Sequence, residues 1–290
     1  MIKLGLVGVN TSHAEAFTRL LNGDPGGRPQ VEGAKIVAVW GEPSGDAKLL
    51  ADTYGLTIVG DPRDMAGSID GVLVVDDTEG GASHAALARP FLEHGTATFI
   101  DKPMTRDLPE AIELFDLAKR HETPLMSASA LRYGKEADDL RNRLGSLGAL
   151  STVVSVGPGD WFYYGIHAVE QYVSLIGPGA SWVQRFTKGQ RNVVIVGYDD
   201  GPTVVVGVLG DAAYVFHVTA YGADAWARID RPGDPDDTYA GLMTAVVGMV
   251  RERRAPIDPR ETIEILAVLH AGVRAFDTGG LVRLSDVLPR

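Results

Sequence analysis

The stretch MIKLGLVGVNTSHAEAFTRLL, residues 1–21, decides how the rest of the chain is read. Ile2 to Val9 is an almost unbroken apolar run, as a parallel strand covered on both faces requires. Gly8 opens a polar turn, Asn10-Thr11-Ser12-His13, and an amphipathic stretch follows from Ser12 to Leu21. Strand, glycine turn and helix in that order make the first unit of a doubly wound sheet. Outward from it the alternation repeats. Strands are expected at Lys35 to Trp40, Gly71 to Val75, Thr98 to Ile100 and Pro124 to Ser127, with helices at Gly45 to Tyr54, Ser83 to His94 and Leu108 to His121. Strict alternation of this kind argues for a parallel sheet with helices on both faces.

Beyond a helix at Lys135 to Leu144 the pattern changes. The runs Leu150 to Val156, Val183 to Thr187, Asn192 to Tyr198, Thr203 to Leu209 and Tyr214 to Tyr221 follow with one inserted helix, Gly165 to Ile176, and two late helices, Thr238 to Arg253 and Pro259 to Phe276. Tyr198-Asp199-Asp200-Gly201-Pro202 carries turn chemistry. The expected fold is α/β: an N-terminal Rossmann-like doubly wound parallel sheet in residues 1–124, then a C-terminal α+β domain with a mostly antiparallel sheet in residues 125–290.

Composition narrows the chemistry. The chain has 290 residues, 45% hydrophobic, no Cys and a net charge of −11. That apolar content excludes a disordered chain. Without cysteine there is no disulfide, thiolate metal site or Cys nucleophile, which fits a reducing cytoplasm. An acidic chain is a poor partner for nucleic acid. Apolar runs such as Thr203 to Leu209 and Gly241 to Val250 fall short of the roughly 20 residues that cross a bilayer, so no membrane partner is expected. The N-terminal run is too short for a signal peptide.

In the first turn, Gly8 supplies one of the three glycines of a dinucleotide fingerprint. Asn10 tolerates a left-handed backbone and stands where the second would be, and His13 occupies the third position. Ser12 is the expected helix cap, and the helix N-terminus offers free NH groups to a phosphate. Glu42, just past the second strand, is placed to accept from an adenosine ribose. No arginine lies beside it for a 2′-phosphate, which favours NAD over NADP. After the third strand comes Asp76-Asp77-Thr78-Glu79-Gly80-Gly81-Ala82-Ser83-His84, with carboxylates where cofactor phosphates are expected. His167 and Glu170, three apart on a helix, share a face and are a conceivable metal pair with His84 or His13, though an active-site histidine with a supporting carboxylate is the commoner use. No Gly-x-Ser-x-Gly elbow occurs.

Phe99-Ile100-Asp101-Lys102-Pro103-Met104 ends a buried strand with a lysine at the carboxyl end of the sheet, where open α/β folds bind ligands. The order of first turn, His84 opening a helix, Asp-Lys-Pro, the segment Leu125 to Tyr133 and then Gly165-Ile166-His167 resembles the Gfo/Idh/MocA oxidoreductases. That family is named for glucose-fructose oxidoreductase, inositol dehydrogenase and a rhizopine catabolism protein. The resemblance runs to the last helix and a terminal Leu281 to Leu284 strand. It implies a nicotinamide cofactor, NAD or NADP, held by Gly8, Asn10, Thr11, Ser12, His13, Glu42, Asp76, Thr78, His84 and Lys102. It implies that Lys102 contacts the substrate hydroxyl and the nicotinamide, and that His167 transfers the proton. Family enzymes commonly carry an aspartate four residues before that histidine; here Tyr163 stands there and is the third catalytic candidate. Arg132, Tyr133, Trp161 and Tyr164 are candidates to bind the substrate, a sugar, cyclitol or related polyol. The resemblance also implies a homo-oligomer, dimer or tetramer, through the C-terminal sheet. A cofactor-retaining glycosidase or lyase and a non-catalytic binding relative are the alternatives.

Overall fold

The computed structural model describes residues 1–42, 44–212, 214–229 and 235–289. The chain divides into two compact units, Met1–Ala128 with Tyr239–Pro259, and Ser129–Thr238 with Arg260–Arg290. A single cut after residue 124 therefore misplaces two stretches. One is the last strand of the first sheet. The other is 239–259, which rejoins the first unit, where Arg253 donates to the carbonyls of Gly95 and Glu122.

The first unit runs β1 (Ile2–Val7), α1 (Ser12–Asn22), β2 (Ala34–Trp40), α2 (Ser44–Tyr54), β3 (Thr57–Ile58), β4 (Gly71–Val74), α3 (His84–Glu93), β5 (Ala97–Ile100), α4 (Leu108–Arg120) and β6 (Leu125–Ser127). Its strands are ordered β3-β2-β1-β4-β5-β6 and every pairing is parallel. Every residue of β4 and β5 is buried, which explains why both read as short continuous apolar runs. The order reverses between β1 and β4, so the loops leaving those strands flank the switch point where such sheets bind ligands. Asp107 begins α4 by accepting from the Glu110 amide at 2.8 Å, with Pro109 in the first turn.

The second unit contains α5 (Lys135–Leu144), β7 (Leu150–Gly157), α6 (Gly165–Ile176), β8 (Ala180–Lys188), β9 (Arg191–Tyr198), β10 (Thr203–Val208), β11 (His217–Gly222) and β12 (Trp226–Ile229). Two helices follow, α7 (Pro235–Glu252), along which the chain returns to the first unit, and α8 (Pro259–Thr278); β13 (Val282–Arg283) comes last. The sheet order is β12-β11-β7-β10-β9-β8-β13. β10 lies parallel to β7 and the other pairings are antiparallel. One face is the core: Val204, Val206 and Val208 are fully buried, and α6 packs on β7 and β10.

Several expected bounds change. The strand expected from Tyr214 starts at His217, the terminal strand shrinks to Val282–Arg283, and β3 and β12 were not foreseen. No helix among the described residues is long and apolar enough to cross a membrane.

Candidate functional site

In the first unit the loops at the carboxyl end of the sheet are stitched together by side chains. Gly8 has φ of 105°, and a Cβ there would lie 2.3 Å from the Asp76 amide nitrogen, so only glycine lets β1 turn this close to the loop after β4. Asn10 is not left-handed, contrary to expectation; among the described residues other than glycine, only Glu79, Glu122 and Arg253 have positive φ. Its role lies in its side chain. Oδ1 accepts from the Asp77 amide at 2.8 Å and Nδ2 donates to Thr78 Oγ1 at 3.2 Å, bridging the first turn to the third loop. The helix cap is Thr11, whose hydroxyl accepts from the His13 amide, and Ser12 is the first helical residue.

The first carboxylate of the acidic loop turns inward. Asp76 is 4% exposed, and its Oδ1 accepts from the Thr78 amide at 3.1 Å and the Ser83 hydroxyl at 2.6 Å. A carboxylate committed to its own turn does not face a ligand phosphate. Glu79 and Glu42 are exposed. His84 starts α3 and donates from Nδ1 to the Pro103 carbonyl at 2.8 Å, tying that helix to the segment after β5. Its Nε2 is buried with no hydrogen-bond partner among the described residues.

His13, at the third glycine position, spans to Asp101, with Nδ1 and Oδ2 2.5 Å apart. Its ring stacks on Phe17 and meets Tyr239 edge-on. Burial pushes the Asp101 carboxyl upward, but His13, Lys102 and His84 overcome this and hold it well below the usual carboxylate range. Lys102 follows directly, 9% exposed.

In the second unit, His167 and Glu170 lie three apart on α6, over a short 3-10 turn, Ala130–Arg132, that opens with Ser129. Ser129 and Arg132 are also three apart, and residues at that spacing eclipse on such a turn. The two pairs match. Ser129 Oγ sits 2.7 Å from His167 Nδ1, and Arg132 Nε donates to Glu170 at 2.5 Å. Arg132 Nη1 also reaches Glu261 at 2.7 Å. Burial works against the Arg132 charge, yet the two carboxylates hold it protonated. Arg132 is thus a buried cation held by two carboxylates, its Nη2 having no partner among the described residues, and Glu170 is committed to that pair. Burial pushes the Tyr133 hydroxyl up to about 12.

Ahead of α6, Asp160 Oδ1 accepts from the Phe162 and Tyr163 amides at 3.0 and 2.8 Å, shaping the turn that presents Tyr163 and Tyr164. Both tyrosines are half-buried, and the Tyr164 and Phe216 rings flank His167. Trp161 departs from expectation: it is 3% exposed, donates to the Leu269 carbonyl, and lies against Gly272 where a Cβ would come within 2.5 Å. It is a core residue, closed to a sugar ring. Ser129, Asp160 and Glu261, which the sequence did not single out, contact the candidate residues His167, Tyr163 and Arg132 respectively.

Residues 2–129 match the sequence profile of an oxidoreductase family with an NAD-binding Rossmann fold, Gfo/Idh/MocA. The match covers the first sheet and its helices and ends at Ser129. YceM of Salmonella typhimurium, named as an oxidoreductase, is 27% identical over 163 residues, 55% of this chain and 50% of the relative. The myo-inositol dehydrogenase Hyg17 of Streptomyces leeuwenhoekii is 33% identical over 109 residues, 37% of this chain and 33% of the relative. The chain thus spans half or less of these two relatives. The apo scyllo-inositol dehydrogenase of Lactobacillus casei shares the fold across 98% of both chains, with a TM-score of 0.86 at 14% identity.

Proposed function

We propose that this chain belongs to the Gfo/Idh/MocA oxidoreductases and, with NAD, moves hydride between the nicotinamide and a carbinol carbon of a sugar, cyclitol or related polyol. The observation that carries the reading is Lys102: a buried ammonium, between Asp101 and Pro103, at the carboxyl end of β5 in a sheet of an NAD-binding family. The myo-inositol activity of Hyg17 supports the polyol class.

The residues present fit a dinucleotide. The buried His84 Nε2 is an acceptor without a donor, an arrangement that costs about 1–3 kcal/mol unless a bound group supplies an N–H or O–H. Thr11, Ser12 and His13 open α1, whose free amides and dipole suit a pyrophosphate. Thr78 and the backbone of the Asp76 loop lie at the switch point, Asn10 holds that loop in place, and Glu42 is the ribose acceptor. When bound, the nicotinamide supplies the hydride chemistry.

The chain's own groups handle position and protons. Lys102 donates to the substrate oxygen and stabilises negative charge as it develops there. His167 takes the hydroxyl proton during oxidation and returns it in reduction. Tyr163 contributes a hydroxyl where relatives carry a carboxylate. Tyr164 and Tyr133 are the remaining substrate contacts.

Pairing across the second sheet puts Phe186, Val193 and Val156 on one outward face, with Tyr221 and Trp226 further along it. Phe186 and Trp226 are each 53% exposed, which supports a homo-oligomer formed through this sheet. The test is turnover of a polyol panel with NAD by the wild type and Lys102→Ala. Loss of turnover by a factor of about 100 or more supports the assignment, and unchanged turnover overturns it.

A further inference from the structure

We propose that Ser129 is the positioning residue for His167, holding the ring through Nδ1 and so assigning proton transfer to Nε2. The inference rests on the reading of His167 as the proton-transfer group and adds the residue that orients it.

The hydroxyl is fixed from several sides. Ser129 is 1% exposed, and its Oγ accepts from the Leu131 amide at 3.2 Å while lying 2.7 Å from His167 Nδ1. Its own backbone amide donates to the Glu170 carboxylate, which the Arg132 guanidinium grips. Because Ser129 and Arg132 share one turn and His167 and Glu170 share one helix, the Arg132–Glu170 ion pair sets the spacing of the Ser129–His167 contact. Moving the turn that carries Ser129 away from α6 would strain that buried charge pair.

The choice of a hydroxyl has chemical consequences. A carboxylate at Nδ1 only accepts, so it locks the proton on that nitrogen. A serine hydroxyl accepts or donates, and so stays bonded to Nδ1 in every protonation state of the ring. With Nδ1–H present, as in the imidazolium or the neutral base, Oγ accepts. With the neutral ring protonated on Nε2, Oγ donates. His167 therefore keeps one orientation while a proton enters and leaves at Nε2. The hydroxyl from the 3-10 turn orients the ring without adding charge.

The test pairs kinetics with a measurement that needs no substrate. Ser129→Ala is expected to lower kcat about 10-fold to 100-fold, a part of the 100-fold to 10,000-fold that a positioned proton-transfer group supplies, with KM for the cofactor unchanged. It is expected to have no further effect in a His167→Ala background, and Ser129→Thr is expected to retain most of the activity. In 15N-histidine NMR spectra of the protein alone, the Nδ1 resonance of His167 should move in Ser129→Ala and stay in Ser129→Thr. If Ser129→Ala does not fold, Ser129→Cys replaces it in both arms. An equal loss with and without His167, or an Nδ1 resonance indifferent to Ser129→Ala, overturns the proposal. If no polyol is turned over, the NMR arm alone decides Ser129, while the oxidoreductase reading falls separately on cofactor titration.

Discussion

His13 in the first unit and His167 in the second are both held through Nδ1, one by the Asp101 carboxylate at 2.5 Å and the other by the Ser129 hydroxyl at 2.7 Å. The partners make them different instruments. Asp101 is buried and only accepts, so it pins a proton on His13 Nδ1, and the Phe17 and Tyr239 rings confine the rest of the imidazole. That histidine is a fastener between the start of α1 and the end of β5, placed where a glycine usually allows close packing of helix on strand. Ser129 imposes no charge and no fixed tautomer, which leaves His167 able to change its protonation. The same residue type thus meets a fixed charge in one unit and a neutral hydroxyl in the other, and only the second suits the proton transfer proposed for His167.

The comparison breaks most visibly if the platform under His167 is removed. Arg132→Ala leaves Glu170 buried without its cation, and denaturant unfolding should show a loss of about 3–5 kcal/mol, the usual cost of stranding one partner of a buried pair. A loss below about 1 kcal/mol would mean that the matched turn and helix do not depend on the ion pair.

Next in size is the fastener itself. Asp101→Asn removes a charge-assisted hydrogen bond, a class that contributes about 1.5–3 kcal/mol. Unfolding should register that loss, while His167 keeps its Nδ1 resonance. Movement of the His167 resonance in this variant would show that the two histidines are not independent.

The pH dependence sharpens the contrast. Asp101 has a folded pKa below its ordinary value of 3.8, so the unfolded chain binds the proton more readily. Its contribution is therefore fully present above that value and is lost as pH falls through the lower, folded pKa. Acid unfolding followed by circular dichroism should be shallower below about pH 4 in Asp101→Asn than in the wild type. Equal acid profiles would remove Asp101 as the responsible group.

The smallest effect is at Tyr133. Its folded pKa near 12 lies above the ordinary 10.0, so its contribution to stability is present below pH 10.0 and is lost as pH rises toward 12. The ultraviolet difference titration of wild type minus Tyr133→Phe should have its midpoint near 12. A midpoint at 10.0 would place the hydroxyl in solvent.

Much of the architecture was legible because its signals are local. Lys135–Leu144 and Gly165–Ile176 are bounded as the periodicity indicates, and the buried runs at β4 and β5 are short and wholly apolar. Short motifs singled out Lys102, which follows β5, and His167, which lies on α6. What escaped depends on distant or fine contacts. Thr57–Ile58 is too short for any period to show, and the choice of Thr11 over Ser12 as cap turns on a single backbone angle. The Asn10 bridge joins residues 67 and 68 apart, and Arg132 meets Glu261 across 129 residues. No spacing rule reaches that far. Nor does sequence show that Asp76, one of the three carboxylates of the third loop, turns to Thr78 and Ser83.

The central claim is that this chain binds a nicotinamide cofactor to do its chemistry, and calorimetric titration of the whole protein with NAD and NADH tests it most directly. The account predicts saturable binding at one site per chain, with a dissociation constant below about 1 mM, equivalent to about −4 kcal/mol or better. No heat of binding from either form at millimolar cofactor would contradict it and leave a binding protein on an oxidoreductase fold.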